Sequence, residues 1–277
     1  MRKLKKLTEQ EEFELFSKFK LGYKRKDILL EYGISSRHYK DIIIRNGGVL
    51  KGNLNKYELN HDYFENIDTE DKAYFLGFIV ADGCINSKTS QVSIIQKETD
   101  ILYKFKECIE FEGNIFTKSD KSKCSSLTVS STKMKSDLHN LGIYPAKTMI
   151  VKYPNIPKEL ENHFMRGVFD GDGCISIRKP GKRDKAGRGQ VNICSGSKDF
   201  IEEYVNILEK YGITRNKVRC PRGTYYVIDW GSFTDIEKFY EYFYRDATVY
   251  LERKKNKFEE AVSLSKDKIR YRKKINI

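Results

Sequence analysis

The sequence lacks the features that mark membrane-spanning, secreted and zinc-stabilised proteins. It contains no apolar run near the roughly 18 residues that a membrane span requires. Its basic start, residues 1–6, is followed by no apolar segment of the kind found in signal peptides. The six cysteines form no Cys-x-x-Cys pair, and the four histidines do not cluster with them. We therefore expect no membrane partner, no zinc site, no disulfide framework and a reduced, cytoplasmic compartment.

The sequence also has fewer acidic than basic residues. The chain has 52 Lys and Arg against 39 Asp and Glu, a formal net charge of +13. This excess indicates a polyanionic partner, nucleic acid before a membrane surface, although a generally lysine-rich composition would give the same number. At 277 residues the chain is long enough for about two domains with full cores.

One ten-residue pattern occurs twice. Residues 74–83 read Tyr-Phe-Leu-Gly-Phe-Ile-Val-Ala-Asp-Gly, and residues 164–173 read Phe-Met-Arg-Gly-Val-Phe-Asp-Gly-Asp-Gly. Each copy is an apolar run that closes on an acid and a glycine, and the two acids, Asp82 and Asp172, lie 90 residues apart. A single copy has a simpler explanation, a buried helix that ends in Asp-Gly, but the duplication favours a functional pair.

The small residues within each copy predict two helices in close contact. Gly77 and Ala81 lie four apart in the first copy, as do Gly167 and Gly171 in the second. Residues four apart share a helix face, and small side chains there let two backbones approach closely. We expect the final glycine of each copy to adopt a left-handed conformation that ends the helix.

Such packing would bring Asp82 and Asp172 together at the same end of the helix pair. Each carboxylate would meet the negative end of a helix dipole and would need a cation. Paired carboxylates with nearby backbone oxygens suit Mg²⁺. We predict a Mg²⁺ site at Asp82 and Asp172, which Mn²⁺ could also occupy, with backbone at Ala81 and Gly171 as further ligands.

These residues resemble the signature motif of the LAGLIDADG homing endonucleases in their single-chain, two-motif form. Residues 75–83 match the nonapeptide in one half, and residues 165–173 match it in the other. The resemblance covers about residues 63–261. It implies an α+β fold of two pseudo-symmetric αββαββα halves, packed through the motif helices into a saddle for double-stranded DNA, in a monomer. It also implies that Asp82 and Asp172 are the metal-binding catalytic acids, whereas Asp170 falls on the helix body and is not catalytic.

A second family feature follows a predicted strand at residues 91–95. Gln96-Lys97 resembles the Gln-Lys of the family at that place, which makes Gln96 and Lys97 catalytic candidates. Lys97 could equally be an exposed lysine at a strand end. The second half has Ser195-Gly196 there, with Lys198 two residues on. The resemblance therefore leaves two possibilities, unequal cutting of the two strands or another cation in the second half.

Both halves are expected to follow the order helix, strand, strand, helix, strand, strand, helix. The predicted domains are a helical domain at 1–48, a linker at 49–67, the first half at 68–150, the second half at 151–262 and a basic tail at 263–277. The predicted elements after the motif helices are strand 91–95, helix 100–111, hairpin 114–118 and 126–130 and helix 132–141 in the first half, and strand 190–193, helix 198–211, strands 217–220 and 225–230 and helix 234–244 in the second.

Residues 1–48 predict a small all-α domain. The predicted helices span residues 8–21, 24–32 and 37–45. Thr8 and Glu11 have the spacing of a capping box, and Ser36 is the expected cap of the third helix. The order helix, glycine-containing turn, helix is typical of a helix-turn-helix.

The third of these helices would present basic residues to DNA. Arg37, His38 and Lys40 fall on its predicted outer face, and residues 1–48 hold 12 Lys and Arg against 7 Asp and Glu. We expect contact with a DNA major groove. A three-helix bundle for protein contact would have the same pattern.

A second basic segment lies between two predicted strands of the second half. It contains six cations, one acid and two glycines within residues 178–188, and a third glycine follows at residue 189. Such a connection suits phosphate contacts, although a charge run can also be a solvated face. The predicted DNA-contacting residues are Arg178, Lys179, Lys182, Arg183, Lys185 and Arg188.

The resulting functional expectation is a site-specific homing endonuclease. It would make metal-dependent double-strand breaks with short 3′ overhangs and so start the mobility of its own gene or intron. A non-cleaving DNA-binding regulator and an RNA maturase that aids splicing are the alternatives. The chain starts at Met1 and shows no splicing block, so we expect a free-standing protein rather than an intein.

Overall fold

The computed structural model describes residues 7–48, 57–118, 123–178, 187–221 and 223–275, with the side chains of the last helix described to residue 264. The chain divides into two compact units, Met1–Lys56 and Tyr57–Ile277. No helix in the described ranges is long and apolar enough to cross a membrane.

The small unit contains three helices, as its sequence predicts. They are α1 (Glu9–Lys20), α2 (Arg25–Tyr32) and α3 (Ser36–Arg45). The Thr8 and Glu11 capping box forms at the start of α1. The cap of α3 is Ser35 rather than Ser36, because the Ser35 hydroxyl accepts the His38 backbone N–H at 3.2 Å. The core of the unit consists of Leu15, Ile28, Tyr32, Ile34, Tyr39, Ile42 and Ile43.

The large unit contains the two halves that each carry one copy of the motif. Its first half comprises α4 (Glu70–Asp82), β1 (Gly83–Ile85), β2 (Gln91–Gln96), α5 (Thr99–Cys108), β3 (Phe116–Thr117), β4 (Ser125–Ser130) and α6 (Thr132–Asn140). Its second half comprises α7 (Glu161–Asp172), β5 (Gly173–Arg178), β6 (Arg188–Ser195), α8 (Lys198–Lys210), β7 (Tyr226–Trp230) and α9 (Phe233–Phe243), followed by α10 (Glu252–Ile275).

Each half folds around an antiparallel sheet. The strand orders are β1-β2-β4-β3 and β5-β6-β7. The first half has the predicted order of helices and strands. In the second half, the strand expected at 217–220 is reduced to one bridge between Arg219 and Val227. One face of each sheet packs on helices, as the alternating burial of its strands shows.

The two motif helices touch backbone to backbone. A Cβ on Gly77 would lie 2.1 Å from the Phe164 carbonyl oxygen, and one on Gly167 would lie 2.0 Å from the Tyr74 carbonyl oxygen. A Cβ on Gly171 would lie 2.3 Å from that of Ala81. No side chain fits at these distances, so the predicted role of the small residues is confirmed.

The predicted left-handed ends of the motif helices are wrong. Gly83 has φ −76° and ψ 146°, and Gly173 has φ −81° and ψ 163°, so both are extended and begin β1 and β5. Glycine is needed there for space, because a Cβ would lie 2.6 Å from the carbonyl oxygen of Ile79 or Phe169. The chain therefore passes directly from helix to strand, and the acid stands at the junction.

The predicted linker and tail also differ from the structure. Residues 57–67 belong to the large unit, since Tyr63, Phe64 and Ile67 are buried in its core; the rest of the linker, residues 49–56, lies outside the described residues. The predicted start of the tail, residue 263, falls within α10, which continues to Ile275. The linker prediction was wrong because the aromatic residues Tyr63 and Phe64 are buried in the core without the spacing of a helix or a strand.

Candidate active site

The two motif acids stand side by side. Helices α4 and α7 pack in parallel, because Tyr74 meets Gly167 and Ala81 meets Gly171. Both helices end at an acid, Asp82 or Asp172. The Asp82 carboxylate oxygen lies 3.1 Å from the position that a Cβ of Gly171 would occupy. The packing that the small residues allow thus sets the separation of the carboxylates.

This crowding disfavours negative charge. Burial raises the pKa of Asp172 to about 6, and the neighbouring Asp82 charge adds to the shift. Burial also raises the pKa of Asp82. A cation placed between the two carboxylates would offset both effects.

Two buried lysines, which sequence reasoning missed, lie at the same end of the helix pair. The Lys147 ammonium donates to the Gly83 carbonyl oxygen. The Lys254 ammonium donates to the carbonyl oxygens of Asp170, at 2.6 Å, and Gly173, at 2.7 Å. In each half, the lysine therefore binds the carbonyl of the glycine that follows the motif acid.

The charges of these lysines act on both acids. Lys254 and Lys147 oppose the rise in the pKa of Asp82 and of Asp172. Burial in turn lowers the pKa of Lys147 and lowers that of Lys254 to about 8. The only sequence signal for these lysines is that each follows the last helix of its half. The number of residues between that helix and the lysine differs between the two halves.

Gln96 is at the site and Lys97 is not in contact with it. The Gln96 amide donates to the Asp82 carboxylate. Lys97 is exposed, and within the described chain it makes no hydrogen bond or salt bridge to either acid. In the second half, the Ser195 hydroxyl accepts the Ser197 backbone N–H at 3.1 Å, and Lys198 is exposed. The lysine charges that act on Asp172 are therefore those of Lys147 and Lys254.

Asp170 makes hydrogen bonds that hold the fold together, in keeping with its exclusion from the catalytic candidates. It is buried and accepts hydrogen bonds from the Tyr74 hydroxyl at 2.8 Å and the Tyr244 hydroxyl at 2.6 Å. It also accepts the Leu251 backbone N–H at 2.8 Å. These bonds fasten the chain between α9 and α10 to the motif helices, and so help to bring Lys254 to the site.

The donor set at the site fits a hard cation. It consists of carboxylate oxygens, which Mg²⁺ prefers. The described part of the chain contains no group of three or more His, Cys, Asp or Glu side chains placed to hold a metal ion. Two acids suit Mg²⁺ nonetheless, because this ion usually keeps several waters and takes phosphate oxygens as further ligands. The roles predicted for backbone at Ala81 and Gly171 stay predictions.

The predicted DNA-contacting residues fall on two surfaces. In the small unit, Arg37 and Lys40 are exposed on α3 and His38 is half-buried. In the large unit, Arg178 pairs with Arg188 in the ladder of β5 and β6, and the Arg188 guanidinium donates to the Gly231 carbonyl oxygen. Lys179, Lys182, Arg183 and Lys185 lie outside the described residues.

Comparisons with known proteins bear on the large unit. Residues 159–275 match the family described as LAGLIDADG-like domain. A probable translation initiation factor IF-2 of Methanocaldococcus jannaschii is 28% identical over 152 residues, which are 51% of this chain and 12% of that protein. This chain therefore spans about an eighth of the length of that curated relative.

Solved structures show the same architecture over both halves. The LAGLIDADG homing endonuclease I-GzeII, in complex with its DNA target, has a TM-score of 0.51 at 14% identity and covers 70% of this chain and 89% of its own. The LAGLIDADG meganuclease I-AabMI, bound to uncleaved DNA, has a TM-score of 0.50 at 15% identity, with 72% and 91% covered. Residues 159–275 therefore resemble a LAGLIDADG-like domain, and the chain has the fold of these LAGLIDADG homing endonucleases, as its duplicated motif implies.

Proposed function

We propose that this protein is a site-specific homing endonuclease that makes metal-dependent double-strand breaks in DNA with short 3′ overhangs. The observation that carries the proposal is the convergence of Asp82 and Asp172, each with a buried lysine, at one end of the motif helices. A protein that only bound DNA would gain nothing from this pair, because carboxylates repel phosphates. Crowded acids that favour a cation suit phosphodiester hydrolysis.

Each side chain of the site has a distinct task in this proposal. Asp82 and Asp172 hold the divalent cation, and Gln96 orients the Asp82 carboxylate through its amide. Lys147 and Lys254 offset the negative charge that builds up on the phosphate during cleavage. A bound Mg²⁺ would supply an activated water and further charge stabilisation. The role predicted for Lys97 would require its exposed side chain to turn toward the bound DNA.

Cleavage of a natural target tests the proposal. The substrate is duplex DNA with the uninterrupted form of the locus that flanks the gene of this protein. In Mg²⁺ the wild type is expected to cut both strands, and Asp82→Asn and Asp172→Asn are expected to lose the double-strand break. Asp199→Asn, at an exposed position on α8, is the matched control and should cut normally.

Other outcomes would direct the assignment elsewhere. Tight duplex binding without cleavage in Mg²⁺ or Mn²⁺ would contradict the nuclease and support the non-cleaving regulator. A clear preference for structured RNA would support the maturase. Cleavage by both acid variants would place the active site elsewhere in the chain.

The small unit adds a second DNA contact in this proposal. Its α3 presents Arg37 and Lys40 to solvent after a turn in which Gly33 adopts a left-handed conformation, with φ +63°. Substitution of Arg37 and Lys40 by Ala should weaken DNA binding and lower its salt dependence, while the cut positions stay the same. Lys26→Ala on α2 is the control, and equal effects of the two changes would contradict the contact.

A further inference from the structure

The two sheets carry different chemistry on the faces that point away from the helices. In the first sheet, Val92 and Ile94 of β2 and Leu127 and Val129 of β4 are buried, so the alternate residues form the open face. Within β1 to β4, the side chains on this face are uncharged. They are Cys84, Gln91, Ser93, Ile95, Phe116, Ser126, Thr128 and Ser130.

Part of this first face is apolar. Ile95 pairs with Ser126, which pairs with Phe116 on the next strand, so the three form one row across the sheet. The Ile95 and Phe116 side chains are 45% and 71% exposed. The cations near this sheet lie at the ends of its strands, where Lys88, Lys97, Lys118 and Lys123 are exposed.

The open face of the second sheet is charged and rich in amides. Its buried face contains Val191 and Ile193, so the alternate residues of β6, from Arg188 through Gln190 and Asn192, point outward. The described side chains that β5, β6 and β7 place on the open face are Cys174, Ser176, Arg178, Arg188, Gln190, Asn192, Cys194, Val227 and Asp229.

The ladder places these groups in rows. Arg178 lies beside Arg188, and Asn192 lies between Cys174 and Asp229. The one acid of this set, Asp229, is paired with the guanidinium of Arg219. The hydrogen bond from Arg188 to the Gly231 carbonyl oxygen holds its side chain at the edge of the face. This face therefore offers fixed hydrogen-bond donors with little opposing negative charge.

These two chemistries recognise DNA differently. Arginine forms two hydrogen bonds with guanine, and glutamine or asparagine forms two with adenine, in the major groove. Isoleucine, phenylalanine and threonine contact the thymine methyl group but leave the other base edges unread. Lysines at strand ends bind phosphates, which position a protein without reading sequence.

We infer that the protein reads its two DNA half-sites by different means, an inference that rests on the proposed function. The second sheet reads guanine and adenine edges through Arg178, Arg188, Gln190 and Asn192. The first sheet has a single amide of this kind, Gln91, among the described strand residues of its open face, and otherwise binds its half-site through phosphates, thymine methyl groups and DNA shape. Most of the sequence information in the target therefore lies in the half-site that the second sheet covers.

The expected size of the difference follows from the contacts. Loss of a bidentate contact costs about 1–3 kcal/mol, so a wrong base in the second half-site should lower affinity roughly 5- to 150-fold. Away from the base that Gln91 meets, a wrong base in the first half-site should lower affinity only about two- to fivefold, because a methyl contact is worth about 0.8 kcal/mol.

The test is a binding selection with the full chain. Duplexes randomised across both half-sites are selected in buffer without divalent cation, so that binding is scored and cutting is not needed. The wild type is compared with Arg178→Ala/Arg188→Ala and with the control Lys88→Ala/Lys123→Ala. Melting temperatures show that each variant is folded.

The expected result has three parts. Base preference in the wild type is concentrated in one half-site. The arginine variant loses guanine preference in that half-site, whereas the lysine variant binds all sequences more weakly and keeps the preference. Equal preference in both half-sites, or arginine changes that weaken all sequences alike, would overturn the inference.

Failure of the proposed function has a different signature. The protein could bind with base preference in one half-site and yet cut none of the selected duplexes in Mg²⁺. That result would contradict the nuclease function and leave this inference standing. Selection of no duplex by a folded wild type would overturn both.

Discussion

The two halves share a backbone plan and differ in the support that they give to their acids. In the first half, the Gln96 amide donates to Asp82. In the second half, the aligned residue is Ser195, whose hydroxyl accepts a backbone N–H of its own loop. Asp172 therefore depends on Lys254 and Lys147 for the charges that oppose its raised pKa. Both halves thus keep the helix contact and the acid of the motif, whereas the residue beside the acid differs between them.

The largest expected effect comes from the helix contact that both halves share. Gly167→Ala would place a Cβ 2.0 Å from the Tyr74 backbone oxygen, and Gly171→Ala would place one 2.3 Å from the Ala81 Cβ. Each change should lower the free energy of unfolding, by roughly 3 kcal/mol for Gly167→Ala. The Ala81→Gly change should rescue Gly171→Ala but not Gly167→Ala, since only the former clashes with a side chain.

Urea unfolding of the four variants measures this difference. Equal rescue of both alanine variants by Ala81→Gly would contradict the backbone contact. A Gly167→Ala protein with the wild-type unfolding midpoint would show that the helices are farther apart than the structure has them.

The next effect concerns catalysis in one half only. Gln96→Ser removes the amide that donates to Asp82 and should slow the cutting of one strand about tenfold, a typical loss for a positioning contact worth about 1.4 kcal/mol. Ser195→Gln supplies an amide to the second half and should speed the cutting of the other strand. End-labelled duplexes resolve the two rates. Equal changes on both strands would show that the halves do not act separately.

A smaller effect is expected on the pH dependence of cleavage. A carboxylate sets the acidic limb of the profile, and a lysine sets the alkaline limb. Asp172 must lose its proton to hold a cation, and burial raises its pKa to about 6, so cleavage should fall below about pH 6. Burial lowers the pKa of Lys254 to about 8, so its charge is lost above about pH 8. The cleavage rate should therefore be bell-shaped, and Lys254→Arg should extend the alkaline limb. A flat profile from pH 5 to 9 would contradict these assignments.

The smallest expected effect is on stability. Because the folded pKa of Asp172 is above its unfolded value, the native state binds more protons, and stability falls as pH rises from about 4 to about 6. Asp172→Asn removes this loss and should raise the melting temperature at pH 8 by several degrees. At pH 4 the gain should vanish. An equal gain at both pH values would mean that charge is not its cause.

Local pattern predicted much of the fold and part of the site. The repeated motif was sufficient to place Asp82 and Asp172 on two packed helices, and alternation was sufficient for β2 and β4. Lys147 and Lys254 could not be predicted, because tertiary packing of α10 and of the connection between the halves brings them to the motif. The extended conformation of Gly83 was missed for a related reason, since Gly83 pairs with Ile94 of β2.

The most informative measurement is a time course of cleavage that follows each strand of one duplex target. We expect a nicked intermediate to accumulate before the double-strand break, because the second half lacks the amide that supports Asp82. Ser195→Gln should shorten the life of that intermediate, and Gln96→Ser should change only the other strand. Simultaneous cutting of both strands by the wild type, unchanged by either substitution, would contradict the account of two unequal halves.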